Sequence, residues 1–266
     1  MKQGAAGNLI DIHAHILPGL DDGPRDLKET QLMLIEAKKQ GIRQIIATPH
    51  YIGKRYQPEP DQIFELVRMV QREADQCAPG LKIYPGEEIL YFSEMEEALS
   101  GQKLLTLNGT RYILVEFLPS VAYSRLVQAL RKLVWAGYFP VLAHVERYGC
   151  LRRSGRLEEI RKAGIYIQMN FTSLRMNFAS LVGQIRLLAG QNEILSEEKH
   201  LADRLWCRKM LLEDQIQFFG TDMHGNGYRP PECSEAVDWI RKKLGEDYLN
   251  CLTEQNPQKL LSGEPI

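Results

Sequence analysis

Five of the six histidines in this 266-residue chain stand in short motifs that suit a metal ion. His13 and His15 form an H-x-H motif, and Asp222 and His224 form a D-x-H motif. Side chains alternate between faces in an extended segment, so the two members of each motif point to the same side. The other two histidines are His50, which ends Thr-Pro-His, and His144, which opens His-Val-Glu-Arg. Because imidazole and carboxylate groups bind divalent cations, this dispersed set predicts a metal site that the fold assembles.

Three further carboxylates complete the candidate ligand set: Asp22, Glu88 and Glu116. Glu116 is flanked by apolar residues, and a buried carboxylate in such a segment needs a cation or several donors to offset its desolvation. Asp22 follows Asp21 at the start of an Asp-Asp-Gly-Pro stretch, where an aspartate can simply stabilise a turn. Glu88 follows Glu87, and only one of the two can face inward if the segment is extended. Glu116 is therefore the acidic residue that is hardest to explain without a metal.

Two arginines stand close to these motifs in the sequence. Arg147 follows His144 by three residues, and Arg229 follows His224 by five. A guanidinium group beside a metal cluster can bind phosphate oxygens in a bidentate manner. The sequence therefore predicts catalytic roles for both arginines, with a solvated loop position as the alternative for each.

The elements that must position these side chains alternate between short apolar strands and longer amphipathic helices. This alternation predicts an α/β fold with a parallel sheet, in one domain over residues 1–266 with a flexible N-terminal extension at 1–8. Seven strands are predicted, at Leu9–His13, Arg43–Thr48, Lys82–Gly86, Arg111–Glu116, Val141–His144, Ile165–Met169 and Gln217–Thr221. Six helices are predicted: one from the N-cap Asp26 that Gly41 stops, one from Asp61 that ends before Pro79, Tyr123–Ala136, Leu157–Ala163, one from Ser196 to about Gln215 and one from Pro231 to about Leu244.

Candidate ligands end or follow six of these seven strands. In a parallel (β/α) barrel the carboxyl ends of all strands meet at one rim, where active sites are built. We therefore expect residues far apart in the sequence to meet at a single barrel mouth.

Composition limits the classes of function. Thirty-three basic residues nearly balance thirty-four acidic residues, so the net charge is -1 and no nucleic-acid partner is expected. The five cysteines form no C-x-x-C motif, which favours a reducing cytoplasm. Neither a signal peptide nor an apolar run of about 18 residues is predicted, so direct membrane insertion is not expected.

Motifs along almost the whole chain resemble those of the PHP (polymerase and histidinol phosphatase) metallophosphoesterases. More closely, they resemble the CpsB/CapC-like branch, the manganese-dependent protein-tyrosine phosphatases of bacterial capsular and exopolysaccharide clusters. The stretches that carry the resemblance are 10–15, 20–24, 41–50, 86–88, 112–117, 143–148, 221–224 and 229–231. An aspartate at position 22 resembles the tyrosine-phosphatase branch in particular. The segment from Asn170 to Glu213 is longer than the resemblance leads us to expect.

The resemblance implies a distorted seven-stranded, TIM-like (β/α) barrel that binds three divalent ions. Manganese is the implied metal, with iron, zinc, cobalt or magnesium as alternatives. The implied ligands are His13, His15, Glu88 and Asp222 for the first ion, Glu88, Glu116 and His144 for the second, and Asp22, His50 and His224 for the third. Arg147 and Arg229 would bind the substrate phosphate.

The implied reaction is hydrolysis of phosphotyrosine by metal-activated hydroxide, without a phosphorylated enzyme. The implied substrate is a phosphotyrosine protein, the tail of a membrane-associated bacterial tyrosine kinase that controls polysaccharide synthesis. The chain could also form a homo-oligomer.

Other functions stay open at this point. Cys150 to Arg156 matches the C-x5-R loop of thiolate phosphatases, but no strand precedes it and two arginines crowd the bend. A small-molecule phosphatase acting on histidinol phosphate, or a nuclease of the same superfamily, would use the same ligands, and the near-neutral charge argues against the nuclease. The last alternative is a non-catalytic kinase-docking protein. The complete set of ligand-type residues and the two arginines argue against it, since docking alone requires no open metal position.

Overall fold

Parallel strands alternate with helices through the residues that this computed structural model describes, which are 8–175 and 191–266, without the side chains of 191–200. The strands are β1 (Leu9–Ala14), β2 (Ile42–Ala47), β3 (His50–Tyr51), β4 (Lys82–Pro85), β5 (Glu88–Leu90), β6 (Tyr112–Glu116), β7 (Phe139–Leu142), β8 (Tyr166–Asn170) and β9 (Phe218–Gly220). The α-helices are α1 (Leu27–Lys39), α2 (Pro60–Cys77), α3 (Met95–Ser100), α4 (Tyr123–Trp135), α5 (Arg156–Lys162), α6 (Gln191–Leu212), α7 (Ser234–Leu244), α8 (Glu246–Asn250) and α9 (Asn256–Ser262). A π-helical segment, Cys251–Gln255, joins α8 to α9. Nearly all of the predicted extension at 1–8, and part of the long segment from Asn170 to Glu213, lie outside the described residues.

The strands pair in parallel in two groups, with the orders β1-β2-β4 and β3-β5-β6-β7-β8-β9. β3 continues β2 along the chain and β5 continues β4, so all seven predicted strands are present and two of them are interrupted. Gly86 lies at the second interruption, where a Cβ atom would be 2.8 Å from Leu107 Cδ2 and 2.9 Å from Ile46 Cγ2. The second half of each interrupted strand begins on a predicted ligand, His50 in β3 and Glu88 in β5.

The first and last strands lie side by side. The backbone N–H of Asp222 donates to the carbonyl of His13 at 2.9 Å, and the N–H of His15 donates to the carbonyl of Met223 at 2.9 Å. Ala14 and Met223 also form a parallel bridge. The parallel sheet is therefore strongly curled, and the predicted α/β class is confirmed as a single domain with a curled parallel sheet.

A small apolar cluster fills the region below the candidate ligands. Most of its fully buried members come from five strands and one turn: Ile10, Ile12, Ile46, Leu107, Tyr112, Leu114, Val141 and Phe218. Leu260 and Leu261 of α9 join the same cluster, and the Tyr112 hydroxyl donates to the carbonyl of Glu264 at 2.7 Å. The C-terminal segment therefore covers the amino ends of the strands, and the polar side chains are left at the carboxyl ends.

The helix boundaries agree with the prediction in part. Asp26 is the N-cap of α1, where its side chain accepts from the N–H of Glu29 at 2.9 Å, as predicted. α2 begins at Pro60 rather than at Asp61, because proline's fixed φ suits the first helical turn. The described α6 includes residues ahead of the predicted start at Ser196, and α7 begins at Ser234, later than the predicted Pro231. The short helices α3, α8 and α9 were not predicted from the sequence.

None of the helices in the described part of the chain combines the length and the apolar character needed to cross a membrane.

Candidate metal centre

The predicted ligands converge at the carboxyl ends of the strands. The ring of His15 lies near the middle, with its centroid 3.9 Å from that of His224, 4.4 Å from His50 and 5.4 Å from His13. The ring of His144 lies 5.7 Å from His13. The structure brings these five imidazoles into one cluster. The carboxylates of Asp22, Glu88, Glu116 and Asp222 lie among them.

The first group consists of four buried side chains, those of His13, His15, Glu88 and Asp222. Their possible ligand atoms lie within 4.8 Å of one another. Glu88 Oε2 is 3.1 Å from His13 Nε2 and 3.2 Å from His15 Nε2. Asp222 Oδ1 is 3.5 Å from each of the same two nitrogen atoms. This is the set that the family resemblance implies for the first ion.

Glu88 also belongs to a second group. Its Oε1 atom is 2.7 Å from His144 Nε2, and its Oε2 atom is 3.0 Å from His50 Nδ1. Glu116 lies across from it, with Oε2 at 3.3 Å from His144 Nε2 and Oε1 at 3.4 Å from His50 Nδ1. Glu88 therefore lies between the first and second groups, which is the position that a carboxylate shared by two metal ions would take. His50 contacts the second group, although the family resemblance assigns it to the third ion.

The third group contains the imidazoles of His15, His50 and His224, which offer nitrogen atoms within 4.8 Å of one another. Asp22 Oδ1 lies 3.5 Å from Nε2 of His50 and 3.5 Å from Nε2 of His224. The Asp22 side chain is 44% exposed, in contrast to Glu88 at 0%. The third group is thus the one that opens to solvent.

The cluster is strongly charged for a buried site. Burial lowers the pKa of His50, but the nearby carboxylates of Glu116 and Glu88 outweigh this effect and raise the pKa to about 11. Burial likewise lowers the pKa of His144, and the same two carboxylates raise it to about 9. Burial raises the pKa of Glu88, but the charge of His13 and the contacts with other imidazoles hold it well below its usual range. These carboxylates therefore stabilise positive charge at this position, whether it is carried by protons or by a metal.

The contacts of Glu88 fit a metal better than they fit hydrogen bonds. Its Oε2 atom is fully buried and close to three imidazole nitrogens, yet no hydrogen bond reaches it from any described residue. His50 Nδ1, one of those nitrogens, is also without a partner in the described part of the chain. Unpaired buried polar atoms cost free energy, and a divalent cation between them would satisfy both. The mixed imidazole and carboxylate set suits manganese, iron or zinc.

Asp21 orients two of the imidazole-bearing residues, a role that its place in a turn motif did not predict. Its Oδ2 atom is 2.7 Å from Nδ1 of His15 and accepts from the N–H of His50 at 2.9 Å, while Oδ1 accepts from the N–H of Gly23 at 2.9 Å. Burial raises the pKa of Asp21, but these contacts, led by His15, lower it overall. A carboxylate on the far nitrogen of a ligating imidazole fixes its tautomer and orientation, so Asp21 is a positioning residue.

Other buried polar residues support the cluster from below. Asp11 Oδ1 accepts from the N–H groups of His13 and Thr221, at 3.1 and 3.0 Å. Gln168 Oε1 accepts from the N–H of His144 at 2.6 Å and lies 3.3 Å from His13 Nδ1, and Asn170 donates to Asp222 at 2.9 Å. Each of these residues is a polar residue inside an apolar strand. This sequence pattern indicates a supporting role, and it is the same pattern that indicated a buried charge at Glu116.

The β1 backbone is irregular where it presents the two histidines. The pairing of β1 with β2 shifts register between Asp11 and Ala14. Ile12 therefore packs in the inner apolar cluster while its neighbour His13 points into the ligand cluster. His144 and Asp222 have left-handed backbones, with φ values of 33° and 53°. Such conformations are costly for residues with side chains and concentrate at functional sites.

Both predicted arginines contact the same ligand. Arg147 donates to Asp222 Oδ2, and Arg229 Nη1 lies 3.3 Å from Asp222 Oδ1. About a third of each arginine side chain is exposed, at 31% and 32%. Two partly exposed guanidinium groups therefore border the cluster at Asp222.

The C-x5-R stretch does not form a thiolate site. Cys150 lies in a 3-10 turn, Gly149–Leu151, and Arg156 donates to the Cys150 carbonyl rather than to its thiol. Burial raises the pKa of the Cys150 thiol, whereas a nucleophilic cysteine needs a lowered one.

A family model for capsular polysaccharide synthesis proteins, CpsB/CapC, matches residues 9–185 and 192–262. Among curated proteins, the tyrosine-protein phosphatase CpsB of Streptococcus agalactiae serotype V is 32% identical over 259 residues, which are 97% of this chain and 100% of the relative. The match extends over both ends of the ligand set, from His13 to His224.

One solved structure agrees with this relationship. It comes from work on YwqE from Bacillus subtilis and CpsB from Streptococcus pneumoniae, described as unique metal-dependent tyrosine phosphatases. It matches with a TM-score of 0.81 and 30% identity, over 97% of this chain and 96% of that chain. A phosphotriesterase from Mycobacterium tuberculosis matches in fold alone, with a TM-score of 0.56 and 13% identity over 97% of this chain and 95% of that one.

Proposed function

This chain belongs to the CpsB/CapC family, and we propose that it is a metal-dependent protein-tyrosine phosphatase. The single observation that carries this function is the position of Glu88, whose two oxygen atoms face imidazoles of two different ligand groups. Phosphate monoester hydrolysis suits such a centre, because bound divalent cations lower the pKa of coordinated water and neutralise charge on phosphoryl oxygens.

We assign the nine predicted ligands as the metal-binding residues of this enzyme. His13, His15, Glu88 and Asp222 form one set, Glu88, Glu116 and His144 a second, and Asp22, His50 and His224 a third. The position of His50 beside both Glu88 and Asp22 supports a site in which neighbouring sets share ligands. Manganese is the proposed native metal.

Arg147 and Arg229 are the proposed catalytic residues. Their partly exposed guanidinium groups border the cluster at Asp222 and can bind two oxygens of a phosphoryl group. Both remain charged throughout the reaction, so each can stabilise the charge that develops on the transferring group. Asp222 contacts both arginines and thereby fixes their positions relative to the metal ligands.

The proposed substrate is a phosphotyrosine protein, and the tail of a bacterial tyrosine kinase in capsule or exopolysaccharide synthesis is the specific candidate. The names of the relatives support the first part, and the capsular family description supports the second. The five cysteines are free thiols, which supports the proposed cytoplasmic location. We further propose a closed (β/α)7 barrel in a single domain over 1–266, supported by the hydrogen bonds between β1 and the segment after β9.

The test is a comparison of two substrates under controlled metal content. We expect release of phosphate from a phosphotyrosine peptide that depends on added Mn²⁺ and stops on chelation, with far slower hydrolysis of histidinol phosphate. Glu116→Gln should lose most of this activity, and Glu65→Gln, a change on the exposed side of α2, should not. Preference for histidinol phosphate would instead assign a small-molecule phosphatase, and equal activity of metal-loaded and chelated protein would refute the proposal.

A further inference from the structure

A groove opens on the outer side of the metal centre, between the ends of β5 and β6 and the first three turns of α4. Its volume is about 550 Å³, and its walls include Tyr91, Phe117, Leu118, Arg125 and Lys132. This volume falls in the range of ligand-binding clefts. None of these side chains belongs to the proposed ligand or catalytic set, so the groove is a separate surface.

The groove is continuous with the metal centre through the backbone. Leu90, which lines it, pairs in register with Glu116, and the N–H of Tyr91 donates to the Glu116 carbonyl at 2.9 Å. Phe117 follows Glu116 directly along the chain. The groove is therefore separated from Glu116 by a single strand position, which makes it a candidate surface for the residues that flank a bound phosphotyrosine.

One end of the groove is apolar and aromatic. The rings of Tyr91 and Phe117 stack with centroids 5.2 Å apart. Leu118 lies next to them with 64% of its surface exposed. A large apolar side chain left in water at the edge of a cleft marks a surface suited to a second apolar group.

The other part of the groove is basic. Arg125 and Lys132 lie seven positions apart on α4, which places them on the same face of the helix. The lining includes no Asp or Glu, and neither cation forms an ion pair with any described residue. Two unpaired cations above an apolar floor are complementary to an acidic side chain that follows an apolar one.

We propose that this groove binds the substrate segment next to the phosphotyrosine and selects an apolar residue followed by an acidic one. The inference rests on the proposed phosphatase function. It adds a basis for substrate choice, since the metal centre and the two catalytic arginines recognise only the phosphoryl group. Leu118 would contact the apolar side chain, and Arg125 would contact the acidic one.

The test measures binding separately from catalysis. Fluorescence anisotropy would report the affinity of labelled peptides that carry a non-hydrolysable phosphonate analogue of phosphotyrosine. In the first peptide, Leu and Glu flank the phosphotyrosine analogue on each side. The second peptide has Ser and Gln at these positions, and the third has Leu and Lys. Leu118→Ser and Arg125→Glu alter the groove. Leu32→Ser, at a leucine that is 51% exposed on α1, and Arg68→Glu on α2 are the matched controls.

We expect the wild type and both controls to prefer the Leu-Glu peptide. Leu118→Ser should weaken its binding roughly 3- to 10-fold, the equivalent of partial burial of one leucine side chain. Arg125→Glu should weaken it about 2- to 5-fold, as expected for an exposed ion pair, and should reverse the preference toward the Leu-Lys peptide. Hydrolysis of free phosphotyrosine, which cannot reach the groove, should be the same for all of these proteins.

Three results would overturn the inference. Equal affinity of the three peptides for the wild type would show that the groove does not select. Unchanged affinities in Leu118→Ser and Arg125→Glu would place the selection elsewhere. A change in sedimentation coefficient caused by these variants, without a change in peptide affinity, would make the groove an interface between copies of the chain. Absence of free phosphotyrosine hydrolysis by the wild type is a different failure, which contradicts the proposed function itself.

Discussion

Asp21 Oδ2 and His15 Nδ1 lie 2.7 Å apart, on the side of the imidazole that faces away from the other ligands. Nε2 of the same ring is 3.2 Å from Glu88 Oε2, inside the cluster. The two nitrogens of His15 therefore have different partners. Nδ1 contacts the supporting carboxylate of Asp21, and Nε2 faces the position of the proposed metal. The Asp21–His15 pair is the support on which the central ring of the site depends.

We predict that Asp21→Asn lowers metal affinity and activity about 10- to 100-fold, as is usual when a partner of a ligating histidine is removed. The amide can donate to Nδ1 and so favour the wrong tautomer of His15. Titration of the chelated protein with Mn²⁺, read by activity and by calorimetry, measures both effects. Asp61→Asn on α2 is the control, and wild-type metal affinity in Asp21→Asn would contradict the positioning role.

Gly220→Ala should destabilise the protein and disturb the site together. An added Cβ atom would lie 2.6 Å from the Cβ of His13 and 2.9 Å from Nε2 of Gln168, and both of these side chains are fixed by other contacts. Overpacking of this kind costs about 1–3 kcal/mol. Thermal unfolding and metal titration measure the two effects. Gly149→Ala is the matched control, because a Cβ there meets nothing within 4 Å, and equal melting temperatures for the two variants would contradict the prediction.

Arg147→Lys and Arg229→Lys should each reduce kcat about 10²- to 10³-fold, the usual cost of removing one stabilising donor from a transition state. Lysine keeps the charge but loses the planar pair of donors. Steady-state kinetics on a phosphotyrosine peptide separates kcat from KM, and we expect the larger change in kcat. Arg131→Lys, at a partly exposed position on α4, should be neutral. A rise in KM alone would indicate that the arginines only bind the substrate.

The chelated protein should lose stability as the pH rises from about 6.5 to 9. Burial lowers the pKa of His15, but Asp21 and Glu88 raise it to about 9, so the folded protein holds a proton that the unfolded chain has already released. Stability from this group is fully present below the unfolded pKa and is lost through the folded pKa, on the order of 3 kcal/mol for His15 alone.

Metal loading should suppress that loss, because a cation replaces the protons on the imidazoles. Urea unfolding at pH 6.5, 7.5 and 9, with and without Mn²⁺, measures both curves. A free energy of unfolding for the chelated protein that stays constant across this range would contradict the pKa shift of His15.

Cys150→Ser should retain full activity. The thiol is not activated, and the nearby Arg156 is bound to a backbone carbonyl. The measurement is phosphotyrosine hydrolysis in the presence of Mn²⁺, beside Cys77→Ser as a control at another free cysteine. Complete loss of activity in Cys150→Ser alone would revive the thiolate mechanism.

The sequence predicted the strands, and it predicted that the five histidines and four carboxylates would converge, because apolar runs and polar residues at strand ends are local signals. Their role as metal ligands stays a prediction. Glu116 is an example, since its apolar neighbours alone indicated a buried charge. Interruptions such as the one at Gly86 depend on contacts with Ile46 and Leu107, which are distant in the sequence, and no local pattern reveals them. The sharing of His50 between ligand groups depends on three-dimensional distances for the same reason.

The supporting residues were missed for a different reason. Asp21 has the composition of an ordinary turn residue, and it does accept from Gly23 as a turn aspartate would. Its second oxygen serves His15, and only the fold brings that ring within reach. Asp11 and Gln168 are polar residues within apolar strands, which is the same pattern that indicated Glu116.

The contact between β1 and the segment after β9 has a consequence for biosynthesis. His13 leaves the ribosome long before Asp222 and His224, which lie more than 200 positions later in the chain. The proposed first set of ligands is therefore incomplete until residue 222 has been synthesised, and a message with a premature stop codon ahead of residue 221 would yield a product without Asp222, which both arginines contact. We therefore expect the proposed first cation to bind late in translation.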